Sequence, residues 1–124
     1  GFLGDPPMNF LEIMVENGEL QFPNGSKLKV GTKKAKQKGI LVGVRPDWIK
    51  LQKSKQMTSH VSGKITVIEF QGDQNILTVS TELGILKIIT DTENFFSTNS
   101  EIGLTLDPKK VVLFDTQTEK TLEL

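Results

Sequence analysis

Three observations predict an all-β domain. Most apolar segments are short and β-branched, Gly, Asn, Asp and Ser punctuate them, and the long run from His60 to Phe70 alternates with period two. At 124 residues the chain has the length of one domain, enough for a real core and too little for two ordinary ones. Short strands in so small a unit must close on themselves or stack in two layers, because open edges present rows of unpaired amides. The expectation is a small antiparallel barrel, or two, of the oligonucleotide/oligosaccharide-binding (OB) type.

Residues 1–10 are expected to be a connector. Pro6 and Pro7 fix φ, remove two donors and keep the preceding residue out of helix. Phe2 and Leu3 are apolar before any core has been built, so the connector is expected to lead from a further domain upstream, the chain being a piece of a larger protein. Residues 11–124 then form the domain. Its expected strands are Leu11 to Glu16, Glu19 to Phe22, Lys27 to Val30, Gly39 to Arg45, His60 to Phe70, Ile76 to Thr81, Gly84 to Ile89, Ile102 to Leu106 and Val111 to Phe114. Asn17-Gly18 favours a two-residue hairpin, since both residues tolerate positive φ. Asn24-Gly25 and Gly72-Asp73 are turn signals of the same kind. In the long strand, Val61, Ile65 and Val67 are expected on one face, with Ser62, Lys64 and Thr66 on the other. Helix is scarce: Lys33 to Lys38 has no apolar face, and Thr92 to Ser97 is one turn at most. The polar stretch Lys53 to Ser59 is a candidate division between two sub-barrels.

Composition narrows the chemistry. Lys+Arg 15 balance Asp+Glu 15, so no global field attracts nucleic acid or an anionic membrane. No apolar run is long enough to span a bilayer as a helix. The absence of cysteine removes disulfides, thiolate metal sites and thiol nucleophiles. His60 is the only histidine, which removes histidine-based metal clusters; at the start of a strand it reads as polar surface.

Each remaining constellation has a bland explanation beside the functional one. The run from Gly25 to Lys33 has the wrong glycine spacing and a reversed Thr-Lys order for a phosphate-binding loop. Lys27, Lys29, Lys33, Lys34, Lys36 and Lys38 make a dense basic segment, but no aromatic residue interleaves with them for base stacking, so a solvated loop is expected and nucleic acid is not. Carboxylates are spread singly, with no pair placed to split its acidities for acid–base work. The only arginine, Arg45, ends an apolar strand just before Pro46, Asp47 and Trp48. A guanidinium there either binds a planar anion or ties the turn at Asp47, and the second is the plainer reading. Trp48 then covers a core edge or an interface. Asp107-Pro108 is a turn feeding a last buried strand, and Asp115 is expected to accept hydrogen bonds from its own turn. Ser80-Thr81 is the one hint of a small oxyanion site.

Taken in order, Gly4-x-Pro6-Pro7-Met8-Asn9-Phe10-Leu11, Val42-Gly43-Val44-Arg45-Pro46-Asp47, Val67-Ile68-Glu69-Phe70-x-Gly72 and Leu104-x-Leu106-Asp107-Pro108-x-Lys110-Val111-x-Leu113-Phe114-Asp115 resemble the C-terminal regulatory (TOBE/OB-fold) domain of the ATP-binding subunit of carbohydrate ABC importers. The resemblance runs from Phe2 to about Leu122. It departs from the family pattern at Asp5, where serine is common, at Trp48, at Val112 and at Glu119. It implies a non-catalytic domain with no cofactor of its own, ATP and Mg belonging to an ATPase domain upstream. The implied partners are a second copy of the subunit, the permease subunits reached through that ATPase domain, and a regulatory protein. The implied location is cytoplasmic, peripheral to the inner face of the membrane. Pro6, Pro7, Met8, Asn9, Arg45, Pro46, Asp47, Trp48, Phe114 and Asp115 are the candidate motif and interface residues, and none is catalytic. An oxyanion-binding domain of molybdate type and a free-standing single-strand-binding barrel are the alternatives.

Overall fold

The structure, a computed structural model, describes residues 6–31, 39–53, 59–92 and 96–115. Among them are ten strands and one 3-10 turn: β1 (Asn9–Glu16), β2 (Glu19–Gln21), β3 (Lys27–Lys29), β4 (Gly39–Val44), the turn Pro46–Trp48, β5 (Lys50–Gln52), β6 (Val61–Gln71), β7 (Gln74–Thr81), β8 (Gly84–Asp91), β9 (Glu101–Thr105) and β10 (Val112–Asp115). The chain is all-β, as the pattern predicts. Two five-stranded sheets result, one in the order β10-β4-β1-β2-β3 and the other in the order β5-β9-β6-β7-β8, and their pairings are antiparallel.

In sequence, the second sheet is inserted between the fourth and the last strands of the first. The chain crosses outward through Arg45–Ile49 and returns through Leu106–Val111. The sheet change therefore falls upstream of the polar stretch 53–59, of which residues 54–58 lie outside the described residues, as do 33–38.

Strict alternation in β1 builds the first half of the core. Leu11, Ile13 and Val15 are buried while Phe10, Glu12, Met14 and Glu16 are exposed. Leu11 lies opposite Val42 and Val42 opposite Leu113, so three strands bury one row of aliphatic side chains. Ile65, Leu77, Val79, Leu86 and Ile88 supply the second sheet's share, and both sets belong to one contiguous cluster. Asn17 and Gly18 take φ of 53° and 75° between β1 and β2, the two-residue hairpin that Asn-Gly selects.

Three expectations need correction. The strand begins at Asn9, so Asn9 and Phe10 belong to the sheet and not to a connector. A register shift between Ile65 and Val67 inserts one extra residue into β6, which breaks the face expected for Val61, Ile65 and Val67. Ile65 is fully buried, Val67 is 45% exposed, and Ile68 packs against the core in its place. β5 was not expected; with one apolar residue in three it carries no period of its own and is a strand only because β9 pairs with it.

Candidate interaction face

The Pro-Met-Asn segment divides between the inside and the outside of the molecule. Asn9 points inward and is buried, where its Nδ2 donates to the Lys87 carbonyl at 2.8 Å and its Oδ1 accepts from the Lys87 amide at 2.8 Å. A carboxamide carries the same donor and acceptor as a peptide unit, so Asn9 supplies one more rung to β8, the edge strand of the second sheet. A strand of one sheet is thereby bonded to the edge of the other. Aspartate lacks the donor and alanine lacks both groups, which is the physical reason for asparagine at this position.

Phe10 points the other way, and with it an apolar patch forms on the outer face of the first sheet. Phe10 is opposite Gly43, which in turn is opposite Val112. A Cβ at Gly43 would lie 2.6 Å from Met8 Sδ, 3.0 Å from Phe114 Cε2 and 3.4 Å from Phe10 Cε1. The motif glycine is thus a seat on which Met8, Phe10 and Phe114 converge, and the two rings meet edge-to-face at 5.9 Å. Phe10 and Met14 remain 51% and 54% exposed, so the patch is displayed and not buried within the domain.

Arg45 and its neighbours form the rim. Arg45 Nε lies 3.7 Å from Asp47 Oδ1 with both side chains more than half exposed, and its guanidinium sits 5.5 Å from the centre of the Trp48 ring. This is the turn-tying geometry, worth about 0–1 kcal/mol at such exposure. Trp48 is half-buried at the core edge. Pro6, Met8, Arg45, Pro46 and Asp47 line one open concavity of about 370 Å³ together with Gln74 and Ile89. Five of the ten candidate residues therefore meet in one place. Phe114 joins Met8 at Gly43, Asn9 lies beneath, Pro7 is exposed, and Asp115 closes β10 opposite Ile40. The turn hydrogen bonds expected of Asp115 involve residues outside those described. Asp107 does act as a turn residue, its Oδ1 accepting from the Lys109 amide at 2.9 Å.

A second joint between the sheets went unread in the sequence. His60 is 9% exposed, not surface: its ring stacks on Phe22 at 4.9 Å and 21°, and its Nδ1 accepts from the Leu106 amide at 3.0 Å. Burial holds its imidazole below the ordinary histidine range. Beside it the Asn24 side chain donates to the Ser59 carbonyl at 2.9 Å, and the Ser59 hydroxyl donates to Gln52 Oε1 at 2.8 Å. The Asn-Gly signal at 24–25 predicted the turn but could not show what the asparagine reaches across to.

The other constellations resolve as ordinary structure. Gly25 to Lys29 forms a turn and the strand β3, and the rest of that run, from Thr32, lies outside the described residues. Lys27 and Lys29 are exposed on that strand. Thr81 Oγ1 is committed to its own hairpin, donating to the Gly84 carbonyl and accepting from the Leu83 amide, and in the nearby concavity Glu82 and Glu101 outnumber Lys64, so its lining does not favour an oxyanion. Among the described residues no group of His, Asp or Glu is placed to hold a metal, and no helix is long and apolar enough to cross a membrane.

Two family models together cover residues 4–114 and overlap at 42–49. A family model described as the TOBE domain matches residues 42–114, which hold the second sheet and both crossings. The chain belongs to the TOBE-domain family. A model described as the MalK OB fold domain matches residues 4–49, which hold β1 to β4 and the outward crossing. The TOBE chain is 26% identical over 98% of its length to the multiple sugar-binding transport ATP-binding protein MsmK of Streptococcus mutans. It is 33% identical over 98% to the ABC transporter ATP-binding protein YurJ of Bacillus subtilis. Against the sulfoquinovosyl glycerol transport ATP-binding protein SmoE of Agrobacterium fabrum the figures are 27% and 98%. It spans 35% to 37% of the length of these relatives. Among solved structures, the cytoplasmic molybdate-binding protein ModG with molybdate bound superposes at a TM-score of 0.66 with 14% identity, over 85% of this chain and 94% of that one. That likeness shows a common fold.

Proposed function

We propose that this TOBE chain is the regulatory and dimer-supporting domain of the ATP-binding subunit of a bacterial carbohydrate ABC importer and performs no catalysis itself. The observation that carries the reading is the match of nearly the whole chain to about a third of sugar-transport ATP-binding proteins. ATP and Mg bind in a separate ATPase domain of the same subunit, which works on the cytoplasmic side, peripheral to the membrane, and meets the permease subunits there. The displayed patch at Phe10 and Phe114 supports a protein partner, with a second copy of the subunit as its first occupant and a regulatory protein as another.

A weak contact suffices for that role. Joining two ATPase domains through their regulatory ends raises their effective concentration without any chemistry in the joint. A regulator bound there shifts transport only in so far as it prefers one arrangement of the pair.

The test has two parts. The coding sequence upstream of Gly1 is expected to encode an in-frame nucleotide-binding loop and ATPase signature, and its absence contradicts the reading. Calorimetric titration of the 124-residue chain with Mg-ATP is expected to show no saturable binding, whereas micromolar binding sinks the non-catalytic assignment.

A further inference from the structure

The return crossing from the second sheet to the first, Leu106–Val111, is anchored at its start by a titratable ring. Leu106 is 3% exposed and donates its amide to His60 Nδ1, and Val111 re-enters the core 5% exposed. Between them the Asp107 turn is closed by its own hydrogen bonds, the Lys110 amide to the Asp107 carbonyl and the Lys109 amide to the Asp107 carboxylate. The crossing delivers β10, a strand of four residues that carries Phe114 and, among the described residues, pairs with β4 alone. The neutral imidazole that accepts from Leu106 thus ties down the start of the segment that leads into β10.

We propose that His60 is a proton-operated latch on this crossing, whose protonation frees the Leu106–Val111 segment and so loosens β10 and the Phe114 patch. Protonation turns Nδ1 from an acceptor into a donor facing the Leu106 donor, so that hydrogen bond is lost outright and not merely weakened. The Phe22 face tolerates a cation, and the ring keeps its stack on the β2–β3 turn. The concavity beside the ring is lined by Pro23, Asn24, Val61, Ser62 and Glu82, so among the described residues there Glu82 is the charged neighbour. Burial lowers the pKa of the ring and keeps it neutral at the upper end of the pH range. Asp107, adjacent to Leu106, already has its carboxylate engaged with the Lys109 amide. The Asn9–Lys87 joint contains no titrating group and holds through the same transition. The latch goes beyond the importer reading and does not depend on it.

Amide and imidazole signals of the isotope-labelled 124-residue chain, followed by nuclear magnetic resonance from pH 8 to pH 5, test the latch. The Leu106 amide is expected to shift with the same midpoint as the His60 ring, at a pH below about 6.5, and the Leu113 and Phe114 amides are expected to follow while Lys87 stays still. In His60→Asn, whose Oδ1 accepts but does not titrate, these shifts should vanish; the wild-type titration stands alone if that variant fails to fold. A Leu106 amide indifferent to the His60 titration overturns the latch. Movement of Leu106 without β10 overturns the coupling to the crossing, and equal movement of Lys87 reveals general unfolding and overturns it too.

Discussion

The two joints between the sheets are built from different chemistry. At one, Asn9 bonds both main-chain groups of Lys87 through an uncharged carboxamide; at the other, His60 stacks on Phe22 and accepts from Leu106 through an imidazole. The first is indifferent to pH and satisfies two groups on a sheet edge. The second satisfies one group, and that hydrogen bond lasts only while the ring is neutral, although the stack on Phe22 outlives it. A shared core packs the sheets together, but the polar joints decide which part of the seam responds to conditions. The contrast also separates holding residues from displayed ones, because Phe10 and Met8, next to Asn9 in sequence, face outward.

The largest expected effect comes from removing the pH-indifferent joint. Asn9→Ala leaves the Lys87 amide and carbonyl unpartnered at a partly buried site, and each such loss costs about 1–3 kcal/mol. A fall of about 2–4 kcal/mol in unfolding free energy is expected by urea titration; Asn9→Asp, which keeps the acceptor but not the donor, should fail to restore it. A loss below about 0.5 kcal/mol would mean that the core alone sets the seam.

Next in size is Gly43→Ala. The added Cβ pushes aside the end of the flexible Met8 side chain and crowds the Phe114 ring, both on a displayed face where they can give, at a cost of about 1 kcal/mol in thermal or urea unfolding. The His60 joint sharpens the comparison through pH. Its pKa is lowered on folding, so the unfolded chain binds the proton first and the native state loses stability as pH falls below about 6.5. Stability is at its full value above that point and declines until the native ring is itself protonated. Urea midpoints at pH 7.5 and 5.5 are expected to differ in the wild type and to converge in His60→Asn, while Asn9→Ala keeps the wild-type pH dependence. The smallest effect is Arg45→Ala, which removes an exposed 3.7 Å ion pair and changes stability by no more than about 0.5 kcal/mol.

Sequence pattern reveals the sheets better than the seam. The strand at Leu11 to Glu16 and the Asn17-Gly18 hairpin were legible because they are local consequences of apolar, β-branched composition and turn geometry. The bulge in β6 was not, since one extra residue leaves the alternating pattern looking intact while it turns Val67 outward. β5 has too few residues to carry a period. His60 looked like surface because its burial comes from Phe22 and Leu106, residues 38 and 46 positions away by the numbers they carry. Of the candidate site, the motif residues do gather at one concavity and one patch, but the sequence grouped Asn9 with its displayed neighbours when its bonds lie inside.

Self-association of the subunit most directly tests whether the displayed half of the motif is a docking face. Sedimentation velocity of the full-length polypeptide containing this chain is expected to show a dimer that Phe10→Ser with Phe114→Ser weakens at least tenfold, while Arg45→Ala leaves it unchanged. A dimer that survives the double substitution undiminished, with the domain still folded, would contradict the account and place the contact between copies elsewhere.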